Sequence, residues 1–334
     1  MKKVLFATSA LVLSAGFASA EVAVSGDGRM GVIYDGNDAQ FSSRARVKFT
    51  LTGESDSGLS FGGAFRVDQE NYNANAFRSA ARGTAGAVWI SGTYGKLSMG
   101  DVVSASEAAI GDLAEVGYTD GGFAGDPEEL FFLTGDGVNT DQGPNILYEY
   151  TINNISLYAS ASDGVNRAWP TTVGSEPADG IDTASTAYAL AAKYEGSNFW
   201  ASLSYSKHGD AKEIGLAAEG SFNNFSVKGV YLDYEDNVFF TVDQDNLPGP
   251  ITVDARLEKT YGLSMAYQMD AILVEGFYRR DELESVDGTV DADVDSFGIG
   301  VEYDLGGGAV LAGGIIDTDY LDDTVVDAGI KFSF

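Results

Sequence analysis

The stretch FSSRARVKFTLT, residues 41–52, alternates two kinds of side chain along its whole length. Its even positions are cationic or small and polar, with Arg44, Arg46 and Lys48 in succession, whereas its odd positions are mostly apolar. A period of two places the two sets on opposite faces of one β-strand. The sequence therefore predicts a strand with one apolar face and one cationic face.

Similar alternation recurs along the chain, for example at residues 22–32, 59–67, 225–231, 297–303 and 325–334. The predicted connections alternate between short turns and longer polar links. The short turns lie near 54–57, 95–96, 153–154, 195–198, 223–224, 269–270 and 305–308. The longer links lie near 34–40, 68–83, 102–145, 163–182, 207–212, 235–257, 281–294 and 317–323. Fifteen connections predict sixteen strands. An even strand number, with both termini on the short-turn side, is typical of bacterial outer-membrane barrels.

Composition excludes several other classes of protein. A formal net charge of −30 argues against nucleic acid as a partner, since phosphate binding needs a basic surface. The absence of cysteine excludes disulfides and thiolate metal sites. The single histidine, His208, stands beside a glycine and is predicted to be a solvated loop residue. After residue 20, no apolar run approaches the ~18 residues of a membrane-spanning helix.

The first 20 residues, MKKVLFATSALVLSAGFASA, have the pattern of a secretory signal. Two lysines precede a short apolar core, and Ala18-Ser19-Ala20 forms an A-x-A cleavage site. We expect cleavage after Ala20 and export into the periplasm. Residues 21–334 then form a single transmembrane β-barrel domain.

The cations of residues 41–52 decide which face of the strand meets lipid. A lysine or arginine facing lipid near the membrane midplane costs about 2–4 kcal/mol. The apolar face must therefore meet the lipid, and Arg44, Arg46 and Lys48 must line the interior. By the same alternation Arg29 and Arg66, on neighbouring strands, point inward as well. These five residues are predicted to form a basic wall.

The longest link carries the opposite charge. Residues 103–145 contain nine acidic residues and no lysine or arginine. A structureless segment of ~40 residues is rare unless it is functional. We predict that this third long external loop folds into the lumen, with Glu107, Asp112, Glu115 and Asp120 facing the basic wall. Tyr118 and Phe123 are candidates for positions near the constriction. A solvated surface loop is the alternative.

Two motifs that resemble enzyme signatures are rejected as catalytic sites. GDGRMG at 26–31 fits a dinucleotide fingerprint, but it continues as a strand and no helix follows. GLSFG at 58–62 fits a nucleophile elbow, but Ser60 lies inside an alternating strand and His208 would be its only possible histidine base. A non-enzymatic channel is predicted. A substrate-specific channel and, more remotely, an outer-membrane barrel hydrolase are the alternatives.

The chain resembles the general-diffusion porins of purple non-sulfur bacteria, the Rhodobacter type. The resemblance is strongest in EVAVSGDGRMGVIY (21–34), FSSRARVKFTLTG (41–53), YGKLSMGDVVSASEAAIGDLAEVGYTD (94–120) and YDLGGGAVLAGGI (303–315). It implies an all-β fold, a 16-stranded antiparallel barrel with the third long loop folded inward, assembled as a homotrimer in the outer membrane. It also implies bound calcium among the loop acids, for which Asp112, Glu115 and Asp120 are the candidate ligands. The last strand alternates and ends in Phe334, and this end resembles the signal by which outer-membrane barrels are recognised for assembly.

The resemblance implies a passive, water-filled, size-selective channel for small hydrophilic solutes and ions. The excess of acids in the chain predicts a weak preference for cations. Acidic residues near the predicted outer rim, at Asp291, Asp293, Asp295, Asp317, Asp319, Asp322 and Asp323, predict divalent cations that bridge to outer-membrane lipid and lipopolysaccharide.

Overall fold

The computed structural model describes residues 21–71, 82–83, 86–134, 145–162, 186–236, 238–242, 253–285 and 291–334. The predicted export signal at residues 1–20 lies outside these residues. So do residues 135–144 of the predicted inner loop, all of the predicted link at 163–182, most of the link at 68–83 and about half of the link at 235–257.

The described residues form sixteen antiparallel barrel strands, as the alternation predicts: β1 (Glu21–Tyr34), β2 (Ala39–Glu54), β3 (Ser60–Asn71), β4 (Ala87–Gly92), β5 (Gly95–Gly100), β6 (Asn145–Ile152), β7 (Ile155–Ser162), β8 (Ala187–Glu195), β9 (Phe199–His208), β10 (Ala211–Phe222), β11 (Phe225–Glu235), β12 (Val253–Met269), β13 (Ile272–Ser285), β14 (Asp291–Gly306), β15 (Ala309–Thr318) and β16 (Val325–Ser333). Two short segments, Arg82–Gly83 and Val238–Val242, continue β4 and β11, because each pairs with the same neighbouring strand as the longer segment. A short helix, α1 (Ala105–Ile110), and a 3-10 turn (Gly122–Ala124) lie between β5 and β6. Within the described residues, no helix is long and apolar enough to cross a membrane.

The sheet closes on itself, because β1 pairs with β2 on one side and with β16 on the other. In this register Arg29 lies opposite both Arg44 and Lys331. Closure leaves no exposed sheet edge, which satisfies the hydrogen-bonding groups of every strand in an apolar surrounding.

The two faces of the barrel have the polarity that the alternation predicts. On β2, Phe41 is 91% exposed to the outside, whereas its neighbour Ser42 is 7% exposed. On β1, Met30 is 59% exposed, whereas Arg29 is 6% exposed. Large apolar side chains thus cover the outside, and cations and hydroxyls line the inside.

Two predictions about the link at 207–212 were wrong. The link is a two-residue turn at Gly209 and Asp210, and His208 is the last residue of β9, buried at 9% exposure. The alternation explains the burial, since His208 shares the inner face of β9 with Ser204 and Ser206.

The links predicted at 235–257 and 281–294 also proved too long. Strands β12, β13 and β14 extend beyond the apolar belt, and their outward positions there carry charge instead of apolar side chains. The Lys259 ammonium lies 3.4 Å from Glu282, and Arg280 lies 3.5 Å from Asp295. Opposite charges on adjacent strands stabilise a sheet, so a charged segment that resembles a loop in sequence remains a strand here.

The C-terminus helps to close the barrel. The backbone of Phe334 both donates to and accepts from Gly26 of β1, at 2.9 and 2.7 Å. Its ring is 63% exposed and stacks 6.1 Å from the ring of Phe332, on the outer face.

Deletion of Phe334 should lower the amount of protein assembled in the outer membrane, because the deletion removes both backbone hydrogen bonds to Gly26 and one exposed ring. The molecules that do assemble should conduct normally, since the ring lies outside the barrel. Immunoblotting of outer-membrane fractions and single-channel recording measure the two effects. A normal yield would contradict a role for this residue in assembly.

Candidate functional site

The segment between β5 and β6, here called the inner loop, is described for residues 101–134. It begins with α1, whose N-cap Ser104 accepts a hydrogen bond from the Glu107 backbone at 3.1 Å. Side chains at helix N-termini that accept in this way satisfy otherwise unpaired backbone donors. The Ala105 backbone also donates to Ser160 of β7, at 2.9 Å. The helix is therefore held against the wall of the barrel.

Beyond α1 the inner loop follows the inner wall, where several strands carry glycine. A Cβ on Gly215 would lie 2.6 Å from Ile110, one on Gly262 would lie 2.8 Å from Leu113, and one on Gly298 would lie 2.7 Å from Val116. Cβ atoms do not approach other atoms this closely, so the loop side chains would have to shift if these glycines were replaced. The loop side chains that make these contacts are almost fully buried, as are others in the same segment: Ile110, Leu113, Val116, Tyr118, Leu130, Phe132 and Leu133. These contacts place the described part of the loop against the inner wall.

Residues 127–131 of the inner loop are held by a buried arginine that was not predicted from the sequence. Arg279 of β13 is 1% exposed and donates to the backbone oxygens of Pro127, at 3.3 Å, and Glu129. Its guanidinium lies 2.7 Å from Asp281 and 4.1 Å from the centre of the Phe131 ring. One side chain thus fixes both the backbone and an aromatic ring of the loop.

Three cations on adjacent strands meet one loop carboxylate. Lys331, Arg29 and Arg44 lie directly opposite one another across β16, β1 and β2, and we call them the cation row. The Asp120 carboxylate lies 2.8 Å from Lys331, 3.3 Å from Arg29 and 3.8 Å from Arg44. Like charges opposite one another destabilise a sheet. Asp120 offsets that repulsion by lying against all three.

Additional ion pairs extend the basic wall. Asp68 lies 3.2 Å from Arg46 and 2.7 Å from Arg66. Lys48 pairs in register with Arg66 and is exposed on the inner face. The inner surface beside the cation row therefore combines fixed charges of both signs.

A cavity of about 240 Å³ lies between the loop and the wall, and we call it the loop cavity. It joins only some of the predicted residues. Its lining includes Arg29, Arg44 and Arg46 from the wall and Glu115, Thr119, Asp120, Gly122, Phe123, Asp126, Glu128 and Glu129 from the loop.

Four predicted site residues do not line the loop cavity: Lys48, Arg66, Glu107 and Asp112. Glu107 lies on α1, which contacts β7 to β10 and not the strands of the cation row. The Asp112 side chain accepts from the Leu130 backbone at 2.8 Å, and its backbone oxygen accepts from Lys228. Tyr118, a candidate for the constriction, is fully buried and donates to the Ser42 backbone at 2.9 Å.

Lys331 is the member of the cation row that sequence reasoning did not name as a site residue. The alternation of the last segment placed it on the inner face. What was missing was the register, which sets Lys331 opposite Arg29 once β16 closes against β1.

Burial raises the pKa of two loop acids, Glu115 and Glu128. Burial, reinforced by Asp120, raises the pKa of Glu115. Burial raises the pKa of Glu128 to about 9, and this side chain is 1% exposed. At pH 7 Glu128 is therefore neutral and adds no negative charge to the loop cavity.

Replacing Glu128 by glutamine should leave ion selectivity at pH 7 unchanged, because a neutral group replaces a neutral group. Above a pH of about 9 the native carboxyl ionises, so the native channel should gain cation preference and the variant should not. Reversal potentials at pH 7 and at a pH above 9 measure the difference. Parallel pH dependence in both proteins would contradict the assignment.

The three predicted calcium ligands, Asp112, Glu115 and Asp120, do not form a cluster of side chains among the described residues. The described residues contain no group of three or more histidine, aspartate or glutamate side chains arranged to hold a metal. Asp120 contacts the cation row, and the Asp112 carboxylate accepts from the loop backbone.

The enzyme-like motifs do not form a site either. Gly26–Gly31 lies within β1, and the strand continues past it. Ser60 begins β3 beside the turn at residues 55–59, whereas His208 ends β9 beside the turn at the opposite rim. The two side chains are therefore too far apart to act together.

Comparison with known proteins gives one consistent result. The profile of the family described as Gram-negative porin matches residues 7–323. A porin of Rhodobacter capsulatus is 39% identical over 325 residues, covering 94% of this chain and 100% of that protein. A porin of Fuscovulum blasticum is 26% identical, with the same coverage of both chains.

Solved structures agree with this result. A porin structure refined at 1.8 Å resolution has 38% sequence identity and a TM-score of 0.70, covering 94% of this chain and 100% of that one. A substituted form of the Rh. blastica porin has 22% identity and a TM-score of 0.64, with the same coverage, and supports the fold alone.

Proposed function

The chain belongs to the Gram-negative porin family, and we propose that it is a size-selective, weakly cation-selective channel whose narrowest passage is bordered by the inner loop and the basic wall. Membership of the family makes it a general diffusion channel of the outer membrane, not an enzyme. Small hydrophilic solutes and ions are its proposed cargo.

The observation that carries the proposal is the loop cavity, which three arginines of the wall and the carboxylates of the loop line together. Opposed fixed charges on two sides of a water-filled passage create a field across it that orients water. An apolar solute must displace this water without replacing its interactions, so the barrier is highest for lipophilic molecules. Polar solutes and ions replace those interactions and pass.

The sign of the selectivity follows from the balance of charge. The chain has 50 acidic and 20 basic side chains, so the mouths of the pore attract cations. Ion pairing in the cation row limits this preference at the narrow point. A weak cation preference is therefore expected.

Planar-bilayer recording tests this function. We expect stepwise, ohmic conductance and, across a salt gradient, a reversal potential with the sign of a cation-selective channel. The cation selectivity should decrease at high salt. Liposome swelling with sugars of increasing size should stop at a definite size limit. No stepwise conductance from purified, folded protein would refute a diffusion channel, and tight saturable block by one sugar would favour the substrate-specific alternative.

We propose a homotrimer whose contacts involve the first strands of the barrel. In β1 to β8 the outward positions with described side chains carry no charged residue, whereas outward positions of β9 to β14 carry several. A charge-free outer face suits burial against a second copy. Mass measurement in mild detergent tests the assembly.

Contact with lipopolysaccharide is proposed for the opposite side of the barrel. Its support is the band of outward ion pairs above the apolar belt of β12 to β14, which includes Lys259 with Glu282 and Arg280 with Asp293. Charged pairs at this level suit headgroups and bridging divalent cations, not acyl chains. Retention of lipopolysaccharide after detergent washing, with and without chelator, tests the contact.

The predicted signal at residues 1–20 remains a proposal, supported by its charged start, apolar core and A-x-A site. N-terminal sequencing of protein from outer membranes should begin at Glu21. A start at Met1 would contradict cleavage.

Calcium is proposed to bind as a counter-ion among the acids of the inner loop. Its support is the excess of carboxylates around the loop cavity. If calcium screens them, a chelator should lower the melting temperature, and added calcium should restore it. Equal melting curves would show that the cation row suffices.

A further inference from the structure

We propose that Asp327 is the positioning residue that holds Asp120 against the cation row. This inference rests on the proposed function and explains what holds Asp120 in place at the constriction. Asp327 lies on the inner face of β16, four residues before Lys331 along the same strand, and it is 7% exposed. It does not line the loop cavity.

The Asp327 carboxylate accepts four hydrogen bonds, and three come from the loop. Its donors are the backbone of Tyr118 at 2.9 Å, the backbone of Thr119 at 2.7 Å and the Thr119 hydroxyl at 2.6 Å. The fourth donor is the Gly314 backbone of β15, at 3.1 Å. One carboxylate thus joins two barrel strands to the two residues that precede Asp120.

The loop backbone needs such an anchor at this point. Asp120 has a φ of 58°, in the left-handed region, which residues other than glycine adopt infrequently and aspartate more often than most. Gly117, which begins the anchored segment, has a φ of 86°, and its missing side chain leaves room for the Asp327 carboxylate. A backbone in a disfavoured conformation persists only where its surroundings hold it.

The anchor acts through Asp120 because the neighbouring contacts form one chain. Asp327 fixes Tyr118 and Thr119, Arg29 donates to the Thr119 oxygen at 2.5 Å, and Asp120 then reaches Lys331 and Arg29. Releasing the anchor should let the loop tip move, which would separate Asp120 from the cation row.

The experiment compares Asp327→Asn, Asp120→Asn and the double variant by reversal potential and open-channel noise. Asparagine has the same shape as aspartate but accepts with only one oxygen. The equilibrium constant for the anchored position of the loop should therefore fall about tenfold. Asp327→Asn should then reduce cation preference, as Asp120→Asn does, and it should also increase noise. The double variant should show no further change in selectivity, because positioning has no effect once the positioned charge is gone.

Two additional variants separate positioning from loss of charge or of fold. Glu149→Gln removes another inward carboxylate, which lies 3.1 Å from Lys96 and does not contact Asp120. This variant should not increase noise. Thr119→Val removes one bond to Asp327 and keeps the carboxylate, so it should give a smaller shift in the same direction. Thr119→Val also provides the test if Asp327→Asn does not assemble.

The outcomes separate this inference from the proposed function. An unchanged selectivity in Asp327→Asn, beside a changed one in Asp120→Asn, overturns the positioning role and leaves the constriction standing. If Asp327→Asn instead changes selectivity by the same amount in the native and in the Asp120→Asn channel, Asp327 acts through its own charge, and the positioning role is overturned. An Asp120→Asn channel identical to the native one overturns both.

Discussion

Valine in place of Gly314 should lower single-channel conductance and destabilise the folded protein by about 1–3 kcal/mol, the usual cost of overpacking. Gly314 lies on the inner face of β15, and a Cβ there would lie 2.7 Å from the Gly117 Cα and 2.9 Å from the Gly117 nitrogen. Both are backbone atoms, so they cannot move aside by a change of rotamer. The loop must leave the wall, and the only space available to it is the lumen.

Gly229→Val is the matched control. Gly229 lies on the outer face of β11, and a Cβ there would meet nothing within 4 Å. A valine favours the strand conformation, so the control should be neutral or slightly stabilising. Thermal melting and single-channel recording compare the pair. Equal behaviour of the two variants would mean that the loop does not rest on β15.

Alanine at both Arg44 and Arg46 should raise conductance and strengthen cation preference. These guanidiniums line the loop cavity, and their removal leaves the carboxylates of Asp27 and Asp68 without those partners. A unit charge ~4 Å from a passing ion changes its free energy by about 1 kcal/mol even in water. Each lost cation therefore alters relative permeability by a factor of about five.

Salt dependence identifies the origin of this effect. The Debye length is ~10 Å at 0.1 M salt and ~3 Å at 1 M, so the change should be large in dilute salt and small in concentrated salt. Arg280→Ala is the control, because Arg280 points outward and pairs with Asp293 and Asp295. If Arg280→Ala shifts selectivity as much as the double variant, wall charge at the constriction is not the cause.

The fold could be predicted from the sequence because the decisive signal is local. Alternation along residues 41–52 needs no knowledge of distant contacts, and the cost of a cation in lipid fixes which face points inward. The same logic located Arg29, Arg44 and Arg46 on one wall. The predicted links were wrong at His208 and at the upper parts of β12 to β14, because a charged strand and a loop have similar compositions.

The site was only partly predictable because its geometry depends on register and on the path of a loop. Lys331 joins the cation row only through the pairing of β16 with β1. Glu107 and Asp112 are acidic residues of the same loop as Asp120, but Glu107 lies on α1 and the Asp112 carboxylate accepts from the Leu130 backbone. Residues such as Asp327 and Arg279 act through loop backbone, for which a single sequence has no signal.

The placement of Asp120 in the permeation path can be measured directly, because the chain contains no cysteine. Asp120→Cys introduces a single thiol, which a charged, water-soluble thiol reagent can modify during single-channel recording. A constriction bordered by the inner loop and the basic wall predicts a stepwise fall in current at each modification, and a cationic reagent should also reverse the cation preference. Full modification, verified by mass spectrometry, with unchanged current and unchanged reversal potential would contradict it.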